Sequence, residues 1–109
     1  MQTRLYKGRD GWQAETTIDL EAPYAIKIGT SKRSGGGIST FATRVKIERN
    51  ESTGYTGYSF VVFQDFSKTV QADRAARCTE KSVSTMHAAA LAQLDQIKAD
   101  CAAHYAKGA

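Results

Sequence analysis

The last quarter of the chain, Thr79 to Ala106 (TEKSVSTMHAAALAQLDQIKADCAAHYA), contains neither glycine nor proline, and this constrains the fold more than any other feature. Nothing in it breaks a helix, so the residues predict one long helix over 79–106. On a helical wheel Val83, Met86, His87, Ala90, Leu91, Leu94, Ile97, Cys101, His104 and Tyr105 fall within an arc of about 140°, wide enough to lie on a core. Thr79 stands where an N-cap hydroxyl is needed, and Glu80 follows near the positive end of the helix dipole. Lys107 and Gly108 close the other end. At about 1.5 Å per residue such a helix is about 40 Å long, more than a small sheet is wide, so part of it is expected to overhang or to meet a second chain. The back of the wheel carries Ala88, Ala92, Ala99 and Ala103, small enough to admit a neighbouring helix, although alanine is also simply the best helix former.

Everything before that stretch reads as strands. From Trp12 the residues alternate, with Trp12, Ala14, Thr16, Ile18 and Leu20 on one side and Gln13, Glu15, Thr17 and Asp19 on the other. Glu21, Ala22 and the single proline, Pro23, break the run, and a second alternating run from Tyr24 to Ser31 completes an antiparallel hairpin. The glycine-rich SKRSGGG, Ser31 to Gly37, leads to a third strand from Ile38 to about Arg49. There Phe41, Thr43, Val45 and Ile47 are expected on the core face, with Thr40, Ala42, Arg44, Lys46 and Glu48 on the opposite one. The turn NESTGYTG precedes a fourth strand, Tyr58 to Phe66, apolar on both faces and therefore central or covered by a partner, with Ser67 to Val70 as a possible extension.

The sum is an α+β fold, a four-stranded antiparallel meander followed by one long C-terminal helix packed on one face. Residues 1–109 are expected to form one domain, with the sheet over 12–70 and the helix over 79–106. The two edges of such a sheet need protection, which a second copy would supply, so a homodimer is expected.

With 41% apolar and 24% charged residues the chain has the composition of an ordinary globular domain. No segment approaches the ~20 apolar residues of a bilayer span, and MQTRLYKGRDGW lacks the apolar core of a secretory signal, so a cytoplasmic protein is expected. Cys78 and Cys101 lie far apart, outside any CxxC pattern, which points to reduced thiols.

No pattern of catalytic chemistry appears. SKRSGGG joins two strands and lacks the GxxxxGK[ST] of a phosphate loop, and no GxGxxG opens a helix. His87 and His104, seventeen positions apart on the expected helix, are separated by about 25 Å and do not share a metal, and His87 inside the apolar arc reads as a hydrogen-bonded core histidine. Cys101 and His104 fall short of a tetrahedral zinc set. No GxSxG elbow is present, and Glu15 with Asp19 lies on a solvated strand face. Neither an enzymatic activity, nor a cofactor, nor a metal is expected.

The formal charge of +4 inclines the chain toward anionic partners. Lys27, Arg44 and Lys46 are expected on the strand face turned away from the helix, flanked by Lys32, Arg33 and Arg49, with Phe63 and Val61 as apolar neighbours. Cations beside aromatic side chains on a sheet suit single-stranded nucleic acid, the backbone held by charge and the bases by stacking. The reading is therefore a small non-enzymatic nucleic-acid-binding module whose basic sheet face and glycine-rich hairpin carry the contacts. In its order of elements the chain resembles the small single-strand-binding transcriptional coactivators and the plant Whirly proteins, a resemblance of layout onto which no residue is carried. The alternative is a protein-interaction or inhibitor module, of the kind phages and mobile elements use against a host protein, acting through Phe63, Val61 or the alanine face of the helix.

Overall fold

A computed structural model describes residues 2–49 and 59–106. Its elements are β1 (Gln2–Gly8), β2 (Gly11–Asp19), β3 (Tyr24–Lys32), β4 (Ile38–Arg49), β5 (Ser59–Asp73), α1 (Glu80–Leu91) and α2 (Leu94–Ala106). The strands form one antiparallel sheet in the order β1-β2-β3-β4-β5, and the helices follow it in sequence. The α+β class expected from the residues is the one observed. Two details differ: five strands stand where four were expected, and two helices where one was. No helix among the described residues is long and apolar enough to cross a membrane.

The additional strand is β1, which extends the sheet well before Trp12. It pairs with β2 from Gln2↔Thr17 to Gly8↔Gly11 around a turn at Arg9–Asp10, where Gly11 takes the positive φ of 117° that a side chain resists. Its polarity hid it. Gln2, Thr3, Arg4 and Lys7 are exposed, as befits an edge strand whose charges discourage further pairing, so no apolar stripe betrays a buried face.

The helix breaks at Ala92–Gln93 without a breaker residue. Gln93 N–H donates to Ala90 O at 3.0 Å, a tightened turn, and Gln93 O accepts from Ile97 N–H at 3.0 Å to start α2. Both halves then bury apolar positions: Val83, Met86 and Ala90 from α1, Ile97 and Cys101 from α2. A sheet surface twists, and a straight rod of this length leaves it, so packing overrides the favourable propensity of Leu91-Ala92-Gln93. Thr79 does cap α1, its hydroxyl accepting from Ser82 N–H at 3.2 Å.

α1 is tied to the sheet by a polar chain that is buried except at Thr3. Thr3, Thr16, Thr30 and Thr40, one from each of β1 to β4, meet His87 of α1. Thr3 and Thr16 hydroxyls lie 2.8 Å apart, Thr16 lies 2.7 Å from His87 Nε2, Thr30 lies 2.8 Å from Nδ1, and Thr30 lies 2.6 Å from Thr40. A neutral imidazole offers one donor and one acceptor, so every hydroxyl is satisfied if all donate in one direction along the chain. Burial holds His87 below its ordinary pKa, which keeps it neutral. Around this chain sit two apolar clusters. One gathers Ile18, Ile26, Ile28, Phe66, Ile97 and Cys101, the other Ala14, Ile38, Val83 and Met86. Cys78 and Cys101 are free thiols in separate surroundings, Cys78 donating toward Trp12 O and Cys101 buried with its pKa raised by that burial.

The β3–β4 loop is packed. Arg33 N–H donates to Gly37 O and Gly36 N–H to Arg33 O, while Arg33 Nη1 donates to Gly36 O at 3.3 Å. Gly37 has a φ of 81°, and a Cβ there would collide with the backbone of Asp73 and Arg74 at the end of β5.

Two outcomes follow. Gly37→Ala is expected to cost about 2 kcal/mol or more in chemical denaturation, whereas Gly36→Ala, with a positive φ but open space, costs about 1 kcal/mol. Because the folded pKa of His87 is depressed, the unfolded chain takes up a proton that the folded chain refuses as pH falls below the ordinary value of 6.5. Stability present above that value is therefore lost on acidification. Between about pH 7.5 and about pH 5.5 wild type should lose more stability than His87→Gln does, measured by urea unfolding.

Candidate functional site

The helices cover one face of the sheet, and strand parity decides which side chains point there. In β2, β3 and β4 the helix-facing residues are the even-numbered ones: Thr16 and Ile18, Ile26 and Ile28, Thr40 and Ala42 are all buried. In β4 this reverses the expected assignment. Phe41 is 45% exposed on the uncovered face, while Thr40 and Ala42 are fully buried. Phe41 is the more hydrophobic residue, but Thr40 belongs to the hydrogen-bonded chain under α1, which offsets the desolvation of its hydroxyl. Because side chains alternate along a strand, the rest of β4 follows this choice, yet Val45, on the face without helices, is buried as expected at 1% exposure, as is its partner Ala25 at 0%.

The expected basic face is consequently divided. Lys27 does lie on the uncovered face, opposite Thr43. Arg44 and Lys46 lie on the helix-covered side, paired with Ile26 and Tyr24. Lys32 is exposed at the end of β3, and Arg33 is occupied in closing its own loop. Arg49 ends β4, and its side chain, with those of Phe63 and Val61, lies outside the described residues. The sheet thus brings only one of these six cations to its open surface among the described side chains.

What gathers on that surface instead comes from β1 to β4. Gly29, in the middle of β3, has open space where a Cβ would stand. The gap is the floor of a trough of about 210 Å³ bordered by Gln13, Glu15, Lys27, Ser31, Phe41 and Thr43. Next to it Tyr6 Oη lies 2.9 Å from both Gln13 Oε1 and Glu15 Oε1, one hydrogen serving two acceptors. Burial raises the Tyr6 pKa, as do its hydrogen bond to Glu15 and the charge of that carboxylate, so the phenol remains a neutral donor. Arg4 covers the Tyr6 ring at 5.0 Å, and Lys27 Nζ lies 3.6 Å from Glu15 Oε1. Two aromatic rings, two cations and several amide and hydroxyl groups therefore surround a shallow, open depression. Tyr6 and Arg4 were missed because β1 was not recognised. Phe41 was missed because its hydrophobicity placed it inside.

The other side holds its own charges. Lys68 pairs with Asp100, which also accepts from Gln96 at 2.8 Å, and these bonds hold the Asp100 carboxyl below its ordinary pKa. Phe66 N–H donates to Tyr105 Oη at 3.1 Å, and Phe66 meets His104 edge to face at 5.7 Å. Among the described residues no three His, Cys, Asp or Glu side chains gather where they would hold a metal ion. No protein-family model matches the chain, and neither a curated protein nor a solved structure matches it. The resemblance of layout noted above has no counterpart in a match.

The open position of the trough has a measurable consequence. Phe41→Ser is expected to cost about 1 kcal/mol, since the ring is a little over half buried and serine is a poor strand former, and Gly29→Val to leave stability equal or slightly higher, since valine prefers a strand and meets open space. Thermal and urea unfolding of the two variants checks both.

Proposed function

We propose that the protein is a small non-enzymatic module that binds single-stranded nucleic acid on the uncovered face of its sheet. The observation that carries this reading is Phe41, a large aromatic ring partly exposed beside the Gly29 gap and bordered by Lys27, with the Arg4–Tyr6 pair farther along the same face on β1. A base laid over the gap stacks on Phe41, and phosphates on either side meet Lys27 and Arg4. Tyr6, Gln13 and Ser31 offer donors and acceptors to base edges. In this arrangement Arg44 and Lys46 are not contacts. Glu15 opposes binding, since it neutralises Lys27 and repels phosphate. Action in the cytoplasm accords with the free thiols of Cys78 and Cys101.

The second reading, a protein-interaction or inhibitor module acting on a host protein or joining two copies of the chain, is favoured by Ala88, Ala92, Ala99 and Ala103, all of which are exposed on the helices. The two readings separate by salt. Binding through phosphates weakens steeply as salt rises, whereas an apolar contact does not.

Fluorescence anisotropy with single-stranded oligonucleotides at several salt concentrations tests the proposal. Phe41→Ser and Gly29→Val should each weaken binding about tenfold or more, as the loss of one stacked base implies, and Glu15→Gln should tighten it. Absence of wild-type binding at low salt defeats the function. Unchanged binding by Phe41→Ser defeats the site.

A further inference from the structure

Arg44 is half-buried and among the described residues has neither an acidic partner nor a hydrogen bond. Its guanidinium carbon lies 3.9 Å from the ring centroid of Tyr24 and 4.0 Å from that of Tyr105, so aromatic rings cover both of its faces. Stacking of this kind stabilises a cation without neutralising it and without using its N–H groups. Nε is fully buried and unpartnered. The residue also sits where the β4–β5 ladder shifts register, between Thr43↔Ser67 and Val45↔Phe63, an irregularity of the sort that re-aims a side chain.

The two rings hold the guanidinium in place. Arg44 lines a groove of about 180 Å³ together with Leu20, Lys98, Cys101, Ala102 and Tyr105. Two cations and no carboxylate line it. The nearby Asp100 is already held by Lys68 and Gln96. Leu20, Cys101 and Ala102 supply an apolar wall.

We propose that this groove binds a small amphipathic carboxylate, its two oxygens on the edge of the Arg44 guanidinium and its aliphatic body against Leu20 and Ala102. A planar carboxylate matches the in-plane donors of arginine, and a guanidinium already held between two rings loses little freedom on engaging it. Lys98 adds a second positive charge at the rim. The volume suits a short-chain acid rather than a drug-sized molecule. The site is on the helix-covered side of the sheet and is independent of nucleic-acid binding at the trough.

The test is a titration of isotope-labelled full chain with hexanoate, followed by amide chemical shifts. Saturable shifts centred on Lys98, Ala102 and Tyr105 are expected. Hexanol, which has the body without the charge, and inorganic phosphate, which has the charge without the body, should each bind about tenfold more weakly or worse. Ala102→Phe, at an exposed helix position, fills the groove and should weaken hexanoate by about tenfold, and Arg44→Gln should do the same. If Arg44→Gln does not fold, Lys98→Ala, also exposed, replaces it with an expected loss of about threefold. No saturable shift in wild type overturns the proposal, as does hexanol binding as tightly as hexanoate. Phosphate binding as tightly as hexanoate overturns the amphipathic ligand, and unchanged affinity in Ala102→Phe overturns the location.

Discussion

Four strands and one helix of this protein are held in mutual register by five side chains. A buried hydroxyl or imidazole is costly unless each of its polar atoms finds a partner. Thr16, His87, Thr30 and Thr40, all buried, meet that condition by bonding one another, and the exposed Thr3 of the edge strand continues the chain to the surface. Slipping a strand by one residue would turn its threonine away from α1 and leave its neighbours unpaired inside the core. Apolar side chains such as Ile26 and Ile28 supply the bulk of the driving force but tolerate several packings. The hydrogen-bonded chain discriminates among them, and the placement of α1, the turn after it and α2 follow from that choice.

Legibility in the sequence tracked how far local pattern and tertiary demand agreed. In β2 and most of β3 they agreed, and the faces of Trp12 to Leu20 and of Ile26 to Thr30 could be read directly, although Ala25 is buried on the opposite face. In β4 they conflicted. Phe41 outranks Thr40 and Ala42 in hydrophobicity, yet the partner that makes Thr40 buriable lies on β3, which hydropathy along β4 cannot register. The same conflict hid the helix break, because Ala92 and Gln93 are good helix formers and only the sheet beneath demands a turn there. β1 was obscured by its own role, since an edge strand is polar where a buried one would show a stripe. These errors propagated into the candidate site: exchanging the faces of β4 moved Arg44 and Lys46 behind the sheet and brought Phe41 to the front.

The two faces also place arginine beside tyrosine in contrasting ways. On the open side Arg4 lies over one ring, with Glu15 near that ring's hydroxyl. On the covered side Arg44 lies between two rings with no counter-charge among the described residues. Stacking fixes the position of a cation in both cases, but only partial desolvation makes its charge strong. The exposed pair therefore suits a transient, salt-screened contact, and the enclosed one a contact that depends on shape.

β5 carries one surplus residue, Val70, between the pairs Thr40↔Gln71 and Phe41↔Thr69, and two more between Thr43↔Ser67 and Val45↔Phe63. The even surplus leaves the alternation of faces intact, while the odd one inverts it, so that Lys68 and Gln71 both turn toward the helices. The strand therefore has a phase. Loss or gain of one residue between Phe66 and Gln71 would carry Phe66 out of the core and Lys68 away from Asp100, whereas a change of two would keep both in place. Among chains that share this fold, length variation in β5 should come in pairs.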